Sequence, residues 1–477
     1  MAPASFTCWM AALKRNNHSS IPSTHYKTHI MKCRKVLLLA VFVTMIGFAG
    51  HAQTGARLYS LRQCVETGIA NNLTVNRSRL NMERSEVYMK QSRGNMLPTL
   101  QGSVDHNLNS GRSIDLLTND YVNQEYTSAV YGLQTGVTLF NGLRLLNTLR
   151  SDQYAYEAGK MEWQQQKDNL TLDIILAYLQ ILTSQDQLEL ARIQTEQTRK
   201  QVERLEILNN QGAIMPSDLS DMKGQLANNI LSEINTANAL QTARLNLAQL
   251  MNIPYDSSFQ VERLTVEQFD LQYAATPDSI FAIANEQLAV VRATELRRKS
   301  AEKTVAAAKG NYFPIIGIGA NVFTNFSSTG RDSSNAKIPY YDQLSNNYRT
   351  TVGIGITIPI LNGLRTRNQV ALAKIDLKEA EITETSTRTQ LKQAIERDYM
   401  NMVAARKRYQ ALVEQVDALT ESFRAAEARF NAGVGNSIDY LTARNRLDLA
   451  NISLIQARYD YVLRTKILDY YQGRALW

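Results

Sequence analysis

Leu139-Phe140-Asn141-Gly142-Leu143-Arg144 and Ile360-Leu361-Asn362-Gly363-Leu364-Arg365 are one six-residue phrase written twice, 221 positions apart. Upstream, Gly94-Asn95-Met96-Leu97-Pro98 returns as Gly310-Asn311-Tyr312-Phe313-Pro314. Downstream, Gln211-Gly212 followed by Asp218 returns as Ala432-Gly433 followed by Asp439. Matched turns before and after matched segments mean two structurally equivalent halves.

Immediately before each phrase lies a strand pattern. Tyr131, Leu133, Thr135, Val137 and Leu139 alternate with Gly132, Gln134, Gly136, Thr138 and Phe140; Val352, Ile354, Ile356, Ile358 and Ile360 alternate with Gly353, Gly355, Thr357 and Pro359. Period two with one apolar and one small or polar face predicts strands between unlike environments. We expect strands over 126–140 and 348–360, with partners over 99–109 and 315–326. The connecting stretches Ser110–Glu125 and Ser327–Asn347 read as exposed loops. Two readings fit: a small sheet packed on a core, or a membrane wall with its Ile/Val face in lipid. Spanning strands need about 9–11 residues, which these supply. Four strands cannot close a useful barrel, and an open edge in lipid leaves N–H and C=O groups unpaired. The membrane reading therefore requires several chains.

After each phrase comes a long helix. Leu364 to Ala432 contains no Gly or Pro, and Leu143 to Gln211 only Gly159; at 1.5 Å per residue each run spans roughly 100 Å. From Leu391 through Ile395, Asp398, Met402 and Ala405 to Phe430, the stripe steps by alternating four and three, the 3.5-residue period of left-handed coiled-coil packing, with Asp398 its one charged break. Beyond each glycine the chain reverses. Tyr440, Leu447, Leu454, Tyr461 and Leu468 recur every seven residues, as do Leu219, Leu226, Glu233, Leu240 and Leu247. The heptads alone fit a solid coiled coil or a hollow cylinder.

Met31 opens a secretory signal: Lys32, Arg34 and Lys35, an apolar stretch Val36–Gly50, and a cleavage pattern after Ala52. Fifteen apolar residues fall short of the roughly 20 that a helix needs to cross a bilayer. Residues 1–30 read as an upstream misplaced start. The chain carries 52 basic and 44 acidic residues, hence +8; residues 1–52 hold six of the basic residues and no acid, so the rest stands at +2. The basicity belongs to the leader, and the expectation is no nucleic-acid partner. After Ala52 only His106 and Cys64 remain of five histidines and three cysteines. That excludes an internal disulfide and a typical zinc site. No nucleophile elbow, Walker loop or zinc-protease motif is present. The expectation is no metal, no cofactor and no catalytic residue.

This order of features, duplicated at matching spacing over about residues 58–471, resembles the TolC-type outer-membrane efflux channels. The resemblance implies a mixed α/β membrane protein. Its domains would be repeat 1 at 53–253 (opening helices 58–97, helical hairpin 141–253), an equatorial segment at 254–276, and repeat 2 at 277–477 (helix 278–312, hairpin 362–471). It implies a homotrimer whose twelve strands form one barrel in outer-membrane lipid, above a periplasmic α-barrel. Its function would be passive export beside an inner-membrane pump of the RND or ABC type and a periplasmic adaptor. By position, Gly212, Ala213, Ile214, Gly433, Val434 and Gly435 fall at the tips that meet the adaptor, and Asp439, Thr442 and Asp218 fall at the constriction. An acid in a helix's first turn is also favoured by the helix dipole alone, and glycines also serve a hairpin's left-handed angles. Thr442 replaces an expected acid, Phe430 a tyrosine and Gly435 an arginine, so the closing contacts must differ. A periplasmic coiled-coil adaptor or scaffold without a pore is the competing reading; a secreted hydrolase lacks a nucleophile and base.

Overall fold

The computed structural model describes residues 58–114, 119–123, 125–256, 258–263 and 273–474. The expected leader and signal lie outside these residues, as does much of the inter-repeat segment.

Repeat 1 begins with β1 (Leu58–Tyr59), α1 (Leu61–Asn71) and α2 (Leu73–Gly94). The opening helices expected over 58–97 are thus two. Asn72 leaves helical geometry at ψ 128° and its side chain accepts from the Thr74 and Val75 amides, which starts a new helix. The chain then forms β2 (Thr99–Asn109), β3 (Arg112–Ile114), β4 (Tyr121–Asn123), β5 (Tyr126–Phe140), α3 (Arg144–Asn210) and α4 (Pro216–Leu250), followed by β6 (Gln260–Val261).

Repeat 2 follows the same plan: α5 (Pro277–Gln287), α6 (Ala289–Gly310), β7 (Ile315–Ser327), α7 (Tyr340–Asn346), β8 (Arg349–Thr357), α8 (Arg365–Asn431) and α9 (Ser437–Tyr471). The expected single helix over 278–312 breaks at Leu288, ψ 134°, the counterpart of Asn72. The hydroxyl caps also match, since Ser60 and Thr276 each accept from an amide three residues on. Residues before the strands correspond at an offset of 216 and those after at 221. The five extra residues fall in the β7–β8 connection. Neither connection is plain loop: β3 and β4 make a small hairpin in the first, and α7 sits in the second.

The main sheet has order β2-β5-β7-β8, antiparallel throughout. Its registers obey the repeat: Thr99 faces Gly136, and their counterparts Ile315 and Thr357 face each other. Because side chains alternate, Leu100, Val104 and Leu108 share a face with Tyr131, Leu133, Ile318, Val322, Val352, Ile354 and Ile356. Gln101, Ser103, Asp105, Gly136, Gly319 and Gly353 share the other. The apolar face is open: Leu100, Val104, Leu108, Val352 and Ile354 are each 67–70% exposed. β8 stops at Thr357, short of the expected 360; Pro359 has no amide hydrogen to donate.

Among the described residues the helices bury three clusters. The largest gathers Cys64, Val65, Ile174, Tyr178, Leu182 and Leu247. Each such aliphatic or aromatic side chain contributes about 1.5–3 kcal/mol by leaving water. Tyr178 also donates to the Glu262 carbonyl at 2.6 Å, fastening the two-stranded parallel β1–β6 sheet to α3. The second joins Ile280, Val291, Ile395, Met402, Tyr461 and Leu468. The third, near the reversals, holds Val202, Leu205, Met222 and Tyr440. Asp398 has a physical reason: the Tyr471 hydroxyl donates to its carboxylate at 3.0 Å.

Candidate functional site at the helical hairpin tips

At each tip a long helix ends on a glycine in the left-handed region, Gly212 at φ +71° and Gly433 at φ +74°. The Ala213 amide donates to the Leu208 carbonyl at 2.9 Å, and Val434 to Arg429 at 3.1 Å, closing both helix ends. The restarts differ. Pro216 opens α4 with no side-chain cap, whereas Asn436 caps α9, its side chain accepting from the Asp439 amide at 2.7 Å.

A cavity of about 850 Å³ lies between the tips. Gly212, Ala213, Ile214, Gly433, Val434 and Gly435 all line it, together with Asp218. Val434 and Met215 are 77% and 70% exposed. A Cβ at Gly435 would sit 3.2 Å from the Phe430 nitrogen, so a side chain here would crowd the backbone of the helix end. Asp218 is half-buried. Asp439 and Thr442 do not join it at the cavity; both are exposed, three residues apart on α9 and therefore on one face.

Polar contacts bind the two hairpins together here. Arg204 donates to the Asn431 side chain at 2.5 Å, Ser437 to Asp221 at 3.0 Å, and Gln225 to Asn445 at 3.3 Å. Arg444 is 5% exposed; it donates to Gln197 at 2.8 Å and lies 3.5 Å from the Asp448 carboxylate. Burial raises the Asp448 pKa, and Arg444 pulls it back. Phe430 stacks on Tyr440 with ring centroids 4.9 Å apart. In place of the expected tyrosine and arginine, Phe430 makes an aromatic stack and Gly435 offers no side chain, while the buried arginine of this tip is Arg444. Sequence reasoning passed over Arg444 and Met215. Arg444 lies one helical turn from Tyr440, on the buried side of its stripe, and that position was the available signal.

Among the described residues no three His, Cys, Asp or Glu side chains gather as a metal site, and no helix is long and apolar enough to cross a membrane. The chain matches the model of the outer membrane efflux proteins over residues 65–252 and 283–471. It belongs to that family. One matched block lies in each repeat. TolC from Salmonella enteritidis is 22% identical, over 93% of this chain and 87% of that protein. The efflux protein BepC from Brucella suis is 22% identical over 93% and 91%. The solved structure of VceC from Vibrio cholerae superposes with a TM-score of 0.73 at 16% identity, covering 87% of this chain and 97% of that one. This outer membrane efflux protein is therefore an outer-membrane channel for efflux or type I secretion, with its helices in the periplasm. Its family is one of channels rather than enzymes.

Proposed function

We propose that three copies of this chain close one twelve-stranded barrel and one hollow helical cylinder, through which substrates leave the periplasm passively. An inner-membrane pump supplies the energy and a periplasmic adaptor docks on the tips. No bond is made or broken by this chain. The observation that carries the reading is the four-stranded sheet: one face is largely apolar and exposed, and among the described residues both edge strands lack a partner within the chain. In lipid both defects vanish only if the sheet closes with others.

The tips serve as the adaptor surface, because Met215, Val434 and Ile438 expose apolar side chains at a helical end that buries nothing by doing so. Asp439 and Thr442 line the narrowest passage, and Asp218 stands behind them at the cavity. Three Asp439 carboxylates around one axis would favour cations.

Planar-bilayer recording tests both levels. The purified protein should conduct, and Asp439→Ala should lower its cation preference. A protein that never conducts sinks the channel. Conductance and selectivity unchanged by Asp439→Ala sink that residue's role alone.

A further inference from the structure

We propose that α7 is an interfacial helix: it lies on the lipid side of the barrel wall at its outward end and seats in the headgroup layer of the outer leaflet through Tyr341 and Tyr348. This rests on the reading that the apolar sheet face meets lipid. It goes beyond that reading by giving the β7–β8 connection a membrane contact of its own.

Register fixes the side of the sheet on which α7 lies. Tyr131 pairs with Thr324 and Ala129 with Phe326, so these four side chains share one face. It is the apolar face, since Tyr131 also pairs with Val104. α7 touches it three times. The Tyr340 ring packs on Phe326 with centroids 4.5 Å apart, the Tyr340 and Tyr131 hydroxyls share a hydrogen bond, and the Thr324 hydroxyl donates to the Leu344 carbonyl at 2.6 Å. Ala129 is 0% exposed, whereas Val104 and Leu108 on the same face of the neighbouring strand are 67% and 69% exposed. The connection therefore folds over the outside of the wall rather than into the passage.

Chain order fixes the end. Helices precede β2 and β7 and follow β5 and β8, so the β2–β5 and β7–β8 connections stand at the end of the wall away from the helices. The helices are periplasmic, which puts α7 at the outer leaflet.

The polar groups fix the depth. Gln343 is 2% exposed; it accepts from the Ser327 amide and donates to the Ser327 and Ile338 carbonyls, while Asn347 donates to the Asn325 carbonyl at 2.8 Å. These bonds pin the inner side of α7 to the end of β7. On its outer side Tyr341, Ser345 and Tyr348 are spaced by four and three, with Tyr341 81% and Tyr348 62% exposed. A seven-residue helix leaves most of its end amides and carbonyls without helical partners, and hydrocarbon does not admit such groups. Two exposed rings with polar tips, by contrast, favour the depth where an apolar body can meet wet headgroups. The interface satisfies both. Residues 328–348 carry Arg331, Lys337, Asp332 and Asp342, a net charge of zero, so the rings and not charge do the seating. The β2–β5 connection forms no helix among the described residues and is five residues shorter, which makes α7 an addition to the duplicated plan.

Spin-label depth tests the proposal. Protein cut after Ala52 carries one native cysteine, Cys64, which C64I removes. Nitroxides are placed singly at Y341C, at I354C on the open apolar face and at S333C in the exposed turn before α7, in the full protein reconstituted into phosphatidylcholine vesicles. Collision with oxygen, which concentrates in lipid, and with a water-soluble nickel chelate reads each depth. Position 341 should meet severalfold less nickel than 333 and severalfold less oxygen than 354. A label at 341 as open to nickel as 333 puts α7 above the membrane and overturns the proposal; one as rich in oxygen as 354 overturns it from the other side. Free nickel access at 354 overturns the lipid-facing wall itself. A label at S345C should sit at the same interfacial depth and move toward water in Y341S/Y348S, with far-ultraviolet circular dichroism unchanged. A label that stays in place removes the two tyrosines from the seating. Adding phosphatidylglycerol to the vesicles should change none of these depths, and seating at 341 only with that anionic lipid would assign it to charge instead.

Discussion

α3 and α8 are equal in length, 67 residues each, and lead into equal return helices of 35 residues, yet α3 buries twenty of its residues and α8 only eight. The difference is not one of the shared positions, since Leu170 and Ile174 on α3 and their counterparts Leu391 and Ile395 on α8 are buried in both. It lies in the neighbours. α3 packs against α1, α2, α4, α6 and α9, while α8 meets chiefly α5, α6 and α9. Two copies of one structural unit are buried to different depths because a single chain supplies one seam between halves and leaves two edges open. Ser151, buried, against its counterpart Leu372, exposed, is that difference at one position.

The largest effect expected from breaking the comparison is at the tip. Arg444 is buried beside Asp448, whereas its counterpart Lys223 makes an exposed bridge to Glu206 at 2.7 Å. Arg444→Ala should cost about 2–4 kcal/mol at neutral pH, somewhat less than breaking a fully buried pair, by leaving the half-buried Asp448 carboxylate without its counter-ion. Lys223→Ala should cost under about 1 kcal/mol. Thermal unfolding in detergent measures both. The pH dependence has a definite sign. Burial holds the Asp448 pKa above its unfolded value, so the folded chain binds the proton more tightly and stability falls as pH rises through that window. Without Arg444 the window widens upward, and the variant should lose more at pH 7.5 than at pH 4.5.

Next come positions where the repeats agree. Ile174 on α3 and Ile395 on α8 correspond, and both are fully buried. Truncating either to Ala should cost about 2–5 kcal/mol, with the two values close to each other. A loss at Ile174 with none at Ile395 would mean that the second cluster is not a core.

The smallest expected effect concerns Cys64, whose counterpart Ile280 is likewise 0% exposed. Burial pushes the thiol from 9.0 up to about 12. Its thiolate at pH 8 is then roughly a thousandfold scarcer than that of a free cysteine. Maleimide should label Cys64 only after unfolding, and Cys64→Ile should fold normally. Rapid labelling of native protein would place Cys64 at a surface.

Much of this architecture was legible because the duplication offers each signal twice. The strands, the proline stops, the helix reversals at Gly212 and Gly433, and the heptad stripes were all readable from residue spacing. The breaks at Asn72 and Leu288 were not: Asn72 caps the next helix with its side chain, a role its sequence context did not single out, and Leu288 breaks at the same place with no side-chain cap at all. Tyr178 reads as one more apolar position on α3, and nothing local announces that its hydroxyl holds the Glu262 carbonyl. The tip was half legible. Its glycines declare a turn, but the split that puts Asp218 at the cavity and Asp439 on an open face depends on which side of each helix meets the other hairpin.

The account stands on the number of chains that close the wall. Native mass spectrometry of the full protein released from detergent micelles measures it directly. Three chains per particle are predicted, with no stable one-chain species at working concentration. A particle of one chain, with helices and strands intact, would contradict the account, because the open edges and the exposed apolar face would then need another explanation.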